Sequence, residues 1–341
     1  MERLRKIDIK YHSEAPIIKE PFLGSQIPAG PELMVSTVDL DKYLAVSSPS
    51  HKWVRDKVVY LLTTGSSIPS FSAAAQKLSY MTQNPKTSIE EISEVISMDP
   101  GLATRCVGVA SSAYYGARTI DSIDQALMMI GLEEVRRIAF TVGVMDSFSH
   151  LRIKIDWDRF WMHSILVARL THKMASAFRE CTGAEYLAGL VHDIGKLFIE
   201  HYFPREFEKI IMRSLERKCG HSKIELEVLG IDHTQIGAAV CDVLKVDPQI
   251  INAVWSHHNP LYPMIPEDPV EAGSFLPACV ALADALANMG QLSLGGEKQI
   301  DTPFQSLPEW VFLNSFEMVY GLELDLQKEI SQATEDLKAF Q

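Results

Sequence analysis

The sequence predicts an all-α protein made of two packed helical bundles, and three observations predict it. Apolar residues recur at helical spacing in one segment after another from about residue 52 onward. Caps and breakers bound these segments and leave short connections between them. Runs with the alternating pattern of a strand are nearly absent.

Residues 1–50 mix charges with five prolines (Pro16, Pro21, Pro28, Pro31, Pro49) and show no sustained period, the pattern of an extended arm or linker. KWVRDKVVYLL opens the helical region, and the breaker Pro69 precedes a second helix expected from Ser70 to about Gln83. A third starts at Thr87 or Ser88, with Glu90 or Glu91 three residues on as a capping box and Ile89, Ile92, Val95 and Ile96 on one face. Asp99-Pro100-Gly101 ends it, because proline restricts the residue before it and glycine frees the backbone, and LATRCVGVASSAYYG begins the next. Ile123 to Ile130 then leads through Gly131 into LEEVRRIAFTVGVM, where Leu132, Val135, Ile138 and Ala139 repeat.

Residues 51–150 therefore read as an N-terminal bundle, and residues 151–341 as a second helical subdomain with a C-terminal extension. In the second, WMHSILVARLTHKMA, EYLAGLVHDIGKLFIEHYF, HTQIGAAVCDVLKV, PQIINAVWSHH and ACVALADALANMG each read as a helix. Residues 259–277 hold five prolines and read as a long ordered loop. The tail carries Trp310, Val311, Phe316, Met318 and Val319, and its final amphipathic helix is expected to close the second bundle.

With 341 residues, 47% of them apolar and 22% charged, the chain can bury a substantial core. Its 32 basic against 44 acidic residues give a net charge of −12, which repels polyanions and argues against a nucleic-acid or membrane partner. Five scattered cysteines without a C-x-x-C pair suggest neither a disulfide framework nor a thiolate zinc site, and a reducing cytoplasm fits them. MERLRKIDIKYH lacks the apolar core and small-residue cleavage site expected of a signal peptide, and Asp284 interrupts residues 273–292, the stretch that comes nearest to a membrane span.

The chemistry concentrates in five groups on successive predicted helices: His163; His192 with Asp193; His233 behind its N-cap Asp232; His257 with His258; and Asp284. His192 and Asp193 follow an apolar run, and Asp284 lies in a charge-poor helix. Burying such groups alone costs several kcal/mol, so each needs a ligand or a dense network. Adjacent histidines point about 100° apart on a helix, so His257 and His258 can both ligate only where the chain unwinds or where two sites adjoin. The donor set suits one or two divalent ions, iron or manganese first, with zinc or nickel compatible and calcium disfavoured. His172, His201 and His221 fall outside the pattern and read as structural or exposed, and Lys196 either faces a phosphate or snorkels from its helix.

A leading His, an HD dipeptide, further histidines and a late Asp together resemble the HD superfamily of metal-dependent phosphohydrolases. Residues from about 60 to 260 are similar to the HDOD family of bacterial signalling output domains, through IPSFSAAAQKL, VISMDPGL, SSAYYG and SIDQALMMIGLEEVRRIAF. Ser111 stands where that family usually has asparagine. The resemblance implies an HD-type helical bundle beside the N-terminal one, and a regulator that acts through a signalling protein partner with its metal ligands lost. This chain keeps all seven candidates. HDIGK and the histidine pair also resemble the HD-GYP branch that hydrolyses cyclic di-GMP, but NPLYPMIPEDP lacks the glycine-tyrosine-proline loop. The expected function is a signalling protein with a mono- or dinuclear metal site. The alternative is a phosphohydrolase acting on a nucleotide ligand, with Asp193 and Lys196 as its catalytic groups.

Overall fold

Local rules written in the sequence place most of the helices. In a computed structural model the described residues are 39–46, 48–64, 77, 81, 88–111, 120, 122–149, 151, 155–261, 270–289, 306–316, 322 and 324–340, and none of them forms a β-strand. The chain divides into two units, Met1–Met34 and Val35–Gln341, and every described residue belongs to the second. The fold is all-α.

Helix α1 spans Lys52–Thr63, buries Val54, Val58, Leu61 and Leu62, and rests against a later helix, α11 (His233–Val243). The sequence alone groups α1 with the first bundle. The helix expected over Ser70 to Gln83 lies outside the described residues except Lys77 and Met81, both helical. Ser88 caps α2 (Ile89–Ser97): its hydroxyl accepts from the Glu91 amide, and the Glu91 carboxylate accepts from the Ser88 amide at 2.8 Å. The next helix, α3 (Pro100–Ala110), starts two residues earlier than expected. Proline is tolerated in a first turn, where its missing N–H has no partner to lose, and Asp99 accepts from the Leu102 amide at 3.1 Å. Gly131, at φ +86°, makes the corner between α4 (Ile123–Ile130) and α5 (Leu132–Phe148). Helices α2 to α5 pack on one another as the first bundle.

The second bundle comprises α6 (Trp157–Ser176), α7 (Ala184–Val191), α8 (Ile194–Tyr202), α9 (Pro204–Arg217), α10 (His221–Val228), α11, α12 (Pro248–Ser256) and α13 (Val270–Met289). Helix α6 lies at its centre against α7 and α13, while α12 packs between α11 and α13. Two expectations fail here. EYLAGLVHDIGKLFIEHYF is not one helix: it breaks at His192-Asp193 into α7 and α8. The supposed loop over 259–277 is already helical from Val270 and runs straight through Pro277. Proline inside a helix costs about 3 kcal/mol, and the burial of Phe275, Leu276, Cys279, Val280 and Leu282 on this helix offsets it. Residues 262–269 lie outside the described set.

The ends of the described chain are tied down by polar contacts. Residues 39–46 lie along α11: Leu40, Tyr43 and Leu44 are buried, the Tyr43 hydroxyl donates to Asp242 at 3.0 Å, and the Gln235 amide donates to the Tyr43 carbonyl at 3.0 Å. After α14 (Pro308–Leu313), the last helix α15 (Leu326–Phe340) packs on α6 and also on α3, so it touches both bundles instead of closing only the second. Buried Arg169 of α6 holds it, donating to Glu329 at 3.1 Å, to Asp336 at 2.9 Å and to Gln332. Among the described residues no helix is long and apolar enough to cross a membrane.

Candidate metal centre

The break between α7 and α8 is what lets His192 and Asp193 act together. On an unbroken helix, consecutive side chains diverge by about 100°. Here α7 ends at Val191, and Asp193 takes φ −101° and ψ 11°, the sparsely populated bridge region. Across from it, Asp232 accepts from the Thr234 and Gln235 amides, which puts His233 at the first position of α11. The crossing of α8 over α11 is close, and Gly195 permits it: a Cβ there would stand 2.0 Å from the His233 carbonyl oxygen. His257 and His258 lie just past the end of α12, where the chain leaves the helix, so both rings can turn towards His233. His163 comes from α6 and Asp284 from α13.

All seven predicted residues meet around the Asp193 carboxylate, and its two oxygens face different partners. Oδ2 lies 3.3 Å from His192 Nε2 and 3.8 Å from His163 Nε2, and Asp284 Oδ1 lies 3.2 Å from His163 Nε2. Oδ1 lies 3.3 Å from His233 Nε2 and 3.8 Å from His257 Nε2, with His258 Nε2 3.0 Å from His233 Nε2. In each triad, His163-His192-Asp284 and His233-His257-His258, the candidate ligand atoms lie within 4.8 Å of one another.

These residues fit divalent ions. Two ligands about 2.1 Å from one ion at a right angle stand about 3.0 Å apart. The inward nitrogens match that spacing at 3.3 Å for His163–His192 and 3.0 Å for His233–His258. The outward nitrogens are engaged: Nδ1–H of His192 donates to the Gly189 carbonyl and that of His257 to the Val254 carbonyl, both at 2.8 Å. That tautomer leaves an Nε2 lone pair facing inward. Asp193 Oδ1 and His257 Nε2 are buried without any hydrogen bond, as atoms awaiting an ion would be.

The electrostatics follow from this crowding. Burial alone would raise the Asp193 carboxyl, but its contacts with His192 and with the Lys196 ammonium outweigh that and hold it well below the usual carboxylate range. Asp284 is held down in the same way by its contact with His163. Burial and the facing imidazoles push His257 and His258 down, so both stay neutral and able to ligate. His233 moves the other way: burial lowers it, but the Glu225 carboxylate prevails and raises it to about 9. His258 is exposed as a residue although its Nε2 lies against buried His233, and Asp284 is partly exposed, so the centre meets solvent on this side.

Lys196 does not snorkel. It is 1% exposed, and its ammonium lies 2.7 Å from Asp193 Oδ2 as a buried ion pair. Glu225 of α10 escapes the sequence reading altogether. It is fully buried, and its Oε2 accepts from both the His233 amide (2.8 Å) and His233 Nδ1 (2.6 Å). HSKIELEVLG carries no mark of this, and an acid eight residues before a candidate ligand was the one available clue. His221 is buried, and His172 and His201 are half-buried, all outside the cluster.

Comparison with known proteins agrees with this architecture. An uncharacterized protein of Treponema pallidum is 24% identical over 246 residues, 71% of this chain and 44% of its own length. Ribonuclease Y of Campylobacter concisus is 30% identical over 128 residues, 37% of this chain and 17% of the enzyme. The chain thus spans less than half the length of the curated relatives it matches. Among solved structures, an HDOD domain protein of unknown function from Geobacter sulfurreducens superposes with a TM-score of 0.68 at 24% identity, over 83% of this chain and 92% of that one. A candidate phosphohydrolase from Shewanella amazonensis gives 0.60 at 21% identity, over 84% and 98%. A candidate signal-transduction protein from Marinobacter aquaeolei gives 0.63 at 22% identity, over 89% and 67%. These three likenesses show the shared fold. The HDOD domain matches residues 68–260, more than half of the chain, and the protein belongs to the HDOD domain family.

Proposed function

We propose that this HDOD protein is a signalling regulator that carries two divalent metal ions in an HD-type centre and acts by binding another protein. The observation that carries the metal reading is the division of Asp193, whose Oδ1 and Oδ2 face two separate ligand triads. His163, His192, Asp193 and Asp284 would hold one ion; Asp193, His233, His257 and His258 would hold the other. Imidazole and carboxylate donors favour iron or manganese and also accept zinc or nickel. Five of the seven residues are no more than 2% exposed, which suits ions held for structure or sensing behind a narrow opening. Family membership and the description of the Marinobacter aquaeolei neighbour support the signalling role.

A second reading, hydrolysis of a phosphate ester such as a nucleotide, rests on the same division of Asp193 and on the solvent-facing side at His258 and Asp284. The bound ions would supply an activated water and polarise the phosphoryl oxygens. For its part, the protein would keep Asp193 ionised through Lys196, orient the imidazoles through their outward N–H groups, and hold the centre nearly free of bulk water. Elemental analysis of the purified protein, followed by a screen of cyclic and linear nucleotides with added manganese or iron, separates the readings. Two ions per chain without turnover support the regulator, and turnover that disappears in Asp193→Ala supports the hydrolase. A wild-type protein that takes up no ion refutes both.

A further inference from the structure

We infer that Glu225 is a positioning residue that fixes His233 for the second ion and gives the two halves of the centre unequal affinities; this rests on the metal reading above. The ring nitrogens that point away from the cluster have unlike partners. His192 and His257 donate to neutral backbone carbonyls of their own helices, Gly189 and Val254. His233 donates instead to a carboxylate from another helix, at 2.6 Å. A negative partner on the outer nitrogen makes the inner one a stronger donor and locks the ring's rotation.

Glu225 has nothing else to hold. It is fully buried, its Oε1 makes no hydrogen bond, and no lysine or arginine pairs with it among the described residues. Burying a lone carboxylate is costly unless a nearby group compensates. His233 supplies that compensation through its ring N–H and its backbone N–H, and a cation ligated on the far nitrogen adds to it. The carboxylate also takes up one of the free amides in the first turn of α11, so it fixes both the start of that helix and the ring it carries. In the other half, His192 donates in this outer position to the neutral Gly189 carbonyl, which is why the halves should differ.

Glu225→Gln separates charge from shape, because the amide oxygen still accepts both hydrogen bonds. Manganese titrated into metal-free wild type and variant should show the ion that the wild type binds more tightly losing about 10–100-fold in affinity in the variant, with the other ion unchanged. Glu225→Leu should lose that ion altogether. In histidine-labelled, metal-free wild-type protein, the shielded His233 Nδ1–H should give a slowly exchanging downfield resonance that Glu225→Leu abolishes. Folded variants that bind both ions as the wild type does overturn the inference. If the leucine variant fails to fold, the glutamine titration and the wild-type resonance still decide it, and absence of that resonance from the wild type overturns the positioning role. A wild type that binds no manganese sinks the metal reading and the unequal affinity together, whereas loss of the resonance alone sinks only the Glu225–His233 contact, so the two failures are distinguishable.

Discussion

Replacing Gly195 with alanine tests whether the packing of α8 on α11 builds the centre. The added Cβ would stand 2.0 Å from the His233 carbonyl oxygen, 2.8 Å from its carbon and 2.9 Å from the Gly237 amide nitrogen. All three are backbone atoms, so no side-chain rotation relieves the clash. Ordinary contact begins at 3.4 Å, so the two helices must part by up to 1.4 Å. His233 starts α11 and Asp193 stands just before α8, with His233 Nε2 3.3 Å from Asp193 Oδ1. Parting along that line would open the gap to about 4.7 Å, beyond the reach of one shared ion. Overpacking of this kind costs about 1–3 kcal/mol, and each kcal/mol lowers the melting temperature by about 1–2 °C in a chain of this size. The assay pairs a thermal melt of the metal-free protein with manganese stoichiometry. A Gly195→Ala protein that melts with the wild type and still binds two ions would refute the reasoning.

Asp193→Ala should remove both ions, whereas Asp284→Ala should remove only one, as read by metal content per chain after desalting. Arg169→Met strands Asp336 in a buried interface and leaves Glu329 paired with Lys173 alone; losing one partner of a buried ion pair costs about 3–5 kcal/mol, measurable as a lowered denaturant midpoint. An unchanged midpoint would mean that α15 is held by its apolar face alone. Burial raises the Tyr186 hydroxyl to about 12, above its ordinary value of 10.0. A group raised in the folded state contributes stability that is fully present below its unfolded pKa and is lost as pH rises through the folded one. Alkaline unfolding between about pH 10 and 12 should therefore weaken in Tyr186→Phe, and an identical pH profile in that variant would contradict the burial argument.

Legibility of the centre in the sequence was uneven for physical reasons. Asp193 and Asp284 stood out because a charge in an apolar run announces a partner before that partner is known. Lys196 was ambiguous, since a lysine in an apolar helix can either snorkel or pair, and only the 2.7 Å contact with Asp193 decides. Glu225 was invisible because its partner lies on a different helix across the Gly230 turn, and a spacing of eight residues corresponds to no local periodicity. The helix over Val270–Met289 was misread at its start because Pro277 is a local breaker, and only the core around Phe275 and Leu276 overrides it.

By itself the sequence determined the all-α class, a capping box at Thr87 or Ser88 for α2, the Asp232 cap of α11, and the residue types able to ligate a metal. Each of these follows from interactions within a few residues of chain, where periodicity and capping act. The tertiary structure alone decided that His192-Asp193 breaks a helix, that the two Asp193 oxygens face different triads, and that Glu225 backs His233. It also set α15 across both bundles through Arg169. These contacts join residues far apart in sequence, and which helix faces which is settled by burying apolar stripes and pairing buried charges across the whole fold.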